Sequence, residues 1–325
     1  HDRHPDYVRR NPRRPQAQGH EEIRYKLFTM QAHKSEKLLC AFLKADTGKG
    51  FTSRRMNQTE QNSLYEGLDA MSTTELLEGM NTEDRKVPEA VAGCIPRIAC
   101  FVDGVVERMR RGGRVFYIGA GTSGRIGITD ASEIPPTFGM SGVFIGIIAG
   151  GDGAIRDAVE GAEDNPEQGW KDILAYKPTP EDSLVGISAS GGAPYVVGAI
   201  KKAKEFGMLT SSVSCNEDSP AARESDIPII AVVGPEFVTG STRMKSGTAA
   251  KLILNMISTS VMIRLGRVKG NRMVDMQLTN KKLVDRGTRM IMEETGTDDY
   301  AAAKEMLLRY GNVRAAITAT GTGKL

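Results

Sequence analysis

The chain has 325 residues, 40% of them hydrophobic, with 43 basic against 40 acidic side chains. That length can bury a substantial core in one main domain plus an appendage. No apolar run approaches the ~18 residues needed to cross a bilayer, and residues 1–30 are charged and lack an apolar core segment, so neither a membrane span nor a signal peptide is expected.

Residues 1–55 carry thirteen basic and six acidic side chains, against thirty and thirty-four in the remainder. Pro5, Pro12 and Pro15 with an Arg-rich run predict a disordered basic extension, with a weak helical patch near 21–44. A nucleic-acid partner would rest on this stretch alone, and none is expected. All four histidines (His1, His4, His20 and His33) lie in it. The body therefore has no Ser-His-Asp or Cys-His chemistry and no His-ligated zinc. Its proton carriers must be carboxylate, lysine, tyrosine or cysteine. Cys40, Cys94, Cys100 and Cys215 have no C-x-x-C spacing, which predicts free thiols in a reducing cytoplasm.

Residues 56–110 form a helical lead-in. Ser72-Thr73-Thr74-Glu75 is a capping-box pattern, and Asn81-Thr82-Glu83-Asp84 resembles a cap for a second helix over about 87–111. Val91, Ile95, Ile98, Val102, Val105 and Met109 give that helix a core-facing stripe, kinked at Pro96. Arg110-Arg111-Gly112-Gly113 ends it.

Strand and helix then alternate. Strands are predicted at 115–118, 143–148, 184–188, 209–214 and 228–233, with helices at roughly 123–133, 153–163, 167–175, 194–206 and 219–224. Five β-α units without a hairpin signal predict an α/β fold, a doubly wound parallel five-stranded sheet spanning 111–270. Ligands of such sheets sit at the carboxyl ends of the strands. After the first strand, Gly119-Ala120-Gly121-Thr122-Ser123-Gly124 predicts a tight turn with exposed N–H groups, capped by Thr122 or Ser123, that favours a phosphate. The same glycines fit a dinucleotide fingerprint with Asp152 as the ribose acid, but the Thr-Ser pair favours a sugar monophosphate. Asp130-Ala131-Ser132-Glu133 closes the following helix before Pro135-Pro136. Ser188-Ala189-Ser190-Gly191 ends another strand ahead of Pro194, a second candidate phosphate turn.

The last strand leads through Gly234–Lys245 into a helix reaching about Leu265. Its apolar residues lie on more than one face, which predicts burial against the sheet and a partner subunit. Residues 271–325 form a C-terminal helical region with helices at 280–295 and 299–310, then a polar end.

These motifs resemble a known family. The strand–GTSG–helix, strand–SxSG–helix and STRMK segments are similar to the sugar isomerase (SIS) fold. YIGAGTSGRIGITDASEIPPTFG, IAGGDGAIRDAVEGAED, GPEFVTGSTRMKSGTAAKLILNMIS and VDMQLTNKKLVDR resemble the N-acetylmuramic acid 6-phosphate etherases, from about Thr59 to about Leu308. The resemblance implies a cytoplasmic lyase of cell-wall recycling that cleaves the lactyl ether of N-acetylmuramate 6-phosphate without cofactor or metal, working as a homodimer. It implies Glu133 of the DASE motif as general acid and Glu163 of EGAED as general base. Gly121, Thr122, Ser123, Gly124, Ser188, Ser190, Gly191, Ser241, Thr242 and Lys245 are the substrate-binding set. One departure is that the family's usual A-S-G-R-T-P reads here Ala189-Ser190-Gly191-Gly192-Ala193-Pro194. The family's C-terminal helical module is also expected to extend beyond what the chain supplies to Leu325. Rival readings are an aldose–ketose isomerase using Glu236, and a non-catalytic sugar-phosphate sensor like the glucokinase regulatory protein.

Overall fold

The computed structural model describes residues 57–320, so the expected basic extension lies outside the described residues. The lead-in holds three helices, α1 (Thr73–Asp84), α2 (Lys86–Ala92) and α3 (Ile95–Arg110). The Ser72–Glu75 capping box forms as expected, with Ser72 N–H donating to Glu75 Oε2 at 2.7 Å. Asn81–Asp84 do not cap a second helix but complete α1. The single kinked helix expected over 87–111 is two helices. Pro96 lacks an N–H and falls in the first turn of α3, so the chain breaks at Gly93–Cys94 rather than bending.

The sheet follows: β1 (Val115–Gly119), α4 (Gly121–Ser132), α5 (Ile134–Phe138), β2 (Phe144–Ile148), α6 (Gln168–Leu174), β3 (Ser183–Ile187), α7 (Pro194–Phe206), β4 (Leu209–Ser214), α8 (Pro220–Glu224), β5 (Ile227–Ile230) and α9 (Lys245–Arg264). All strand pairs are parallel, in the order β2-β1-β3-β4-β5. Phe116, Ile118 and Leu184 point to one face, where Ile173 of α6 and Tyr195, Val196, Ile200 and Ala203 of α7 bury them. On the other face α4 lies so close that a Cβ on its Gly127 would stand 3.1 Å from both Tyr117 Cβ and Ile187 Cδ1.

α9 runs over that second face with α2, α3 and α4 packed around it. Most of its apolar side chains are thus covered within one chain, while Met256 and Ile263 stay exposed. The helix expected over 153–163 is instead a short 3₁₀ turn, Asp152–Ile155, and a loop. Gly161 there has φ +69°, and a Cβ on Gly198 of α7 would collide with the carbonyl of Pro166, so the loop is shaped by the helix it lies on.

The C-terminal region is α10 (Lys281–Thr295), α11 (Tyr300–Tyr310) and α12 (Val313–Thr320) around a small core of Val274, Met276, Ile291, Leu307, Val313 and Ile317. It docks on the α5 segment. Gln277 N–H donates to the Pro136 carbonyl at 3.3 Å, and Gly139 leaves no room for a side chain beside the Asp275 carbonyl. Arg314 clasps Asp275 with two bonds, 2.7 and 2.9 Å.

Candidate active site

The strand order reverses between β1 and β3, and Gly119 pairs with Ile187 at their carboxyl ends. The turns after these two strands therefore leave the sheet side by side, at the switch point where such sheets bind ligands.

The first turn needs its glycines for close approach. A Cβ on Gly119 would stand 2.6 Å from Gly124 N, and one on Gly124 would stand 2.6 Å from Ile148 Cγ1. Gly121 takes φ +52°, which favours glycine. α4 starts at Gly121, two residues before the expected Ser123, and its N-cap is Ala120 rather than Thr122 or Ser123. Alanine has no acceptor, so the N–H groups of Gly121, Thr122 and Ser123 have no partner among the described residues. The neighbouring helices differ. The N–H of Tyr195 in α7 donates to the Glu163 carbonyl (2.9 Å), Ser219 Oγ caps α8, and the Glu236 carboxylate caps α9. Of the helices that follow β1, β3, β4 and β5, α4 alone presents an uncapped N-terminus, with the positive end of its dipole open to an anion.

In the second turn Gly191 has φ +69° and no room for a side chain beside Ser219. Ser188 Oγ accepts from Gly191 N–H (3.1 Å) and Ser190 Oγ from Gly192 N–H (3.2 Å), and the two hydroxyls stand 3.5 Å apart. Gly192 and Ala193 replace the family's larger residues without a gap-filling neighbour: a Cβ at 192 would meet only Ser190 Oγ, at 3.6 Å.

The third loop also reaches the first. Gly247 of α9 faces Thr122 Cγ2 and the Thr242 carbonyl, each 3.6 Å from where its Cβ would be, and Ser241 and Thr242 are half-buried. Lys245 is placed differently from Ser241 and Thr242. It is 1% exposed, and its ammonium bonds Glu83 Oε2 of α1 at 2.6 Å. We therefore leave it out of the phosphate donors. Glu236 is likewise engaged: Oε2 accepts Lys245 N–H (2.9 Å), and Oε1 accepts Ser246 N–H (3.0 Å) and Oγ (2.7 Å). A carboxylate so used as a helix cap is a poor proton shuttle, which weighs against the isomerase reading.

The two glutamates lie on different segments of the chain. Glu163 is exposed in the loop before α6, and its carbonyl is tied to the start of α7 beside the second turn. Glu133 is exposed at the junction of α4 and α5. The twelve residues of α4 separate it from the phosphate turn, a rise of about 18 Å. That is more than a sugar phosphate spans, and Glu133 stands at the far end of the helix, where the sequence reading puts it.

Asp130 links α4 to α9. Its Oδ1 accepts from Ser258 Oγ of α9 at 3.2 Å, while Oδ2 and the Tyr117 hydroxyl are buried without a hydrogen bond of normal geometry. Burial pushes the Asp130 carboxyl above its ordinary value, outweighing its hydrogen bonds from Ser258, Tyr117 and Asn255. The folded chain thus holds this proton more tightly than the unfolded chain. That stabilisation is fully present below the ordinary carboxylate pKa and is lost as pH rises through the raised value. Asp130→Asn should therefore remove part of the fall in urea midpoint between acidic and neutral pH; an unaltered slope would place the titrating group elsewhere.

Sequence reasoning missed Thr59, Glu83 and Asn216 as parts of this region. Asn216 stands two residues past a predicted strand end, the one signal that could have marked it. Thr59 and Glu83 reach the site across 157 and 162 residues, to Asn216 and Lys245.

Comparison with known proteins agrees with this architecture. The glucokinase regulatory protein N-terminal SIS domain matches residues 97–204, and the SIS domain matches 171–260. A phosphoheptose isomerase from Francisella tularensis is 19% identical with a TM-score of 0.48, covering 59% of this chain and 100% of its own. An N-acetylmuramic acid 6-phosphate etherase from Porphyromonas gingivalis is 60% identical over 259 residues, 79% of this chain and 94% of that protein. Proteins of the same name from Bacteroides thetaiotaomicron (57%; 80% of this chain, 94% of that one) and Pectobacterium atrosepticum (52%; 77% and 83%) are also similar. With its parallel sheet, its open helix N-terminus and relatives of this identity over most of its length, the chain belongs to the N-acetylmuramic acid 6-phosphate etherase family.

Proposed function

We propose that the protein is a carbon–oxygen lyase that cleaves the D-lactyl ether of N-acetylmuramate 6-phosphate to N-acetylglucosamine 6-phosphate and D-lactate. The carrying observation is the uncapped α4 N-terminus beside the Ser188–Gly192 turn, in a chain so similar to proteins named for this etherase. The amides of Gly121, Thr122 and Ser123 and the hydroxyls of Thr122, Ser123, Ser188 and Ser190 hold the phosphate; Gly124 and Gly191 permit their close approach, and Ser241 and Thr242 line the third side. Ring opening yields an aldehyde that acidifies the C2 proton. Glu163 removes that proton, and protonated Glu133 delivers its proton to the lactate oxygen leaving C3. Water then adds at C3 of the unsaturated aldehyde.

Because α4 separates Glu133 from the cradle of its own chain, the acid at each site comes from a second copy. A two-fold axis pairing two chains antiparallel satisfies this at both sites at once. This is the ground on which we place a homodimer.

Release of free D-lactate from N-acetylmuramate 6-phosphate tests the activity, and its absence would remove the reading. Ser123→Ala and Ser190→Ala should each raise KM more than they lower kcat. One bond to a charged group is worth about 1.5–3 kcal/mol, roughly ten- to a hundredfold. Unchanged KM in both would place the phosphate elsewhere.

A further inference from the structure

Residues Gln58–Tyr65 carry only a short 3₁₀ turn, yet they lie against two of the three site loops. Thr59 is 1% exposed and its N–H donates to Asn216 Oδ1 at 3.3 Å. Asn216 Nδ2 donates in turn to Thr59 Oγ1 (3.1 Å) and to the Ser190 carbonyl (3.0 Å). Four residues on, Ser63 N–H donates to Thr239 Oγ1 (2.8 Å) and Ser63 Oγ to the Phe237 carbonyl (2.7 Å). Asn216 is 3% exposed. Only Oδ1 can accept the Thr59 N–H, so the amide's orientation is fixed by its partners.

Three successive carbonyls of the second turn are held from one side. Ala189 accepts from Cys215 N–H (2.9 Å), Ser190 from Asn216 Nδ2, and Gly191 from Ala221 N–H (2.9 Å). No peptide bond among the described residues is cis. In a trans peptide the N–H points opposite to the carbonyl it is bonded through. The N–H groups of Ser190, Gly191 and Gly192 are therefore all turned away from the β4–α8 connection. Two of the three carbonyl anchors are backbone groups that any sequence supplies; the third is the Asn216 side chain.

We propose that Asn216 is a positioning residue for the second phosphate turn, and that through it the Thr59 end of the lead-in is a structural part of the sugar-phosphate site. This rests on the reading of Ser188–Gly192 as a phosphate turn. A carboxylate at 216 could accept from Thr59 but could not donate to Ser190, and an alanine could do neither.

The test uses the full chain with Asn216→Ala, Asn216→Asp, Thr59→Val and Thr59→Ser. Readouts are KM and kcat on N-acetylmuramate 6-phosphate, inorganic phosphate affinity by calorimetry, and the urea midpoint. Asn216→Ala and Asn216→Asp should weaken KM and phosphate binding by the same factor, about tenfold, with kcat within about threefold of the parent. Thr59→Val should fall between, and Thr59→Ser should recover what Thr59→Val loses. A lowered midpoint with KM and phosphate affinity intact would make Asn216 merely structural and overturn the proposal, as would loss of kcat with KM unchanged. Phosphate binding needs no turnover, so a parent protein that binds phosphate but releases no lactate refutes the etherase reading alone. A parent that does not bind phosphate overturns the positioning role as well.

Discussion

Mixing Glu133→Gln with Glu163→Gln protein should restore lactate release that neither variant shows alone. Each substitution by itself should cost about a hundred- to ten-thousandfold in kcat, the usual worth of one acid or base. If each site takes Glu163 from one chain and Glu133 from the partner subunit, a mixed dimer has one site with both substitutions and one with neither. Random re-pairing then returns about a quarter of the parent activity. No recovery under conditions where subunits exchange would mean that each chain works alone, or that one glutamate has no role. Deuterium exchange at C2 separates the two. Glu163→Gln should abolish it together with cleavage, whereas Glu133→Gln should retain exchange, because proton removal does not require the leaving group to depart.

The second large effect is on stability. Lys245→Met should destabilise the fold by about 3 kcal/mol, the scale of breaking a buried ion pair by removing one partner. Glu83 is 3% exposed and would be left with Lys86 alone, at 2.6 Å. Burial pushes the Glu83 carboxyl up, but Lys245 and Lys86 together outweigh it and hold it below the ordinary carboxylate value. The stabilisation is therefore present above the ordinary pKa and lost as pH falls through the lowered one. Urea midpoints across the acid range should show that loss in the parent and less of it in Glu83→Gln. A Lys245→Met protein of parental stability whose KM had risen a hundredfold would instead make Lys245 a phosphate ligand.

That contrast illustrates which parts of the molecule could be read from the chain. The strands are found within two or three residues at their ends because buried parallel strands are continuous apolar runs, and Val115–Ile118 and Phe144–Ile148 are such runs. The turns after them were visible for the same reason, since glycine and serine at a strand end have few other uses. The burial of Lys245 is not legible in the sequence, where a lysine in a polar loop reads as solvent-facing. Its partner inside is Glu83, 162 residues earlier. The α4 N-cap was set two residues late because Thr122 and Ser123 are good capping residues. Here the chain leaves that position to an alanine and keeps the hydroxyls within the first turn. The loop before α6 is a tertiary effect, imposed by Tyr195 and Gly198 of α7, each 32 residues beyond the loop residue it meets, Glu163 and Pro166.

The docking of the C-terminal helices on α5 bears on how the protein comes into being. Domains generally fold from the N-terminal side as the chain leaves the ribosome. A nascent chain that has emerged only through α9 already holds every loop of the phosphate cradle. The segment that follows Glu133 acquires its brace only when Asp275 and Gln277 arrive, and Arg314 clasps Asp275 later still. During synthesis the loops of the candidate cradle are therefore complete before the segment that follows Glu133 is braced.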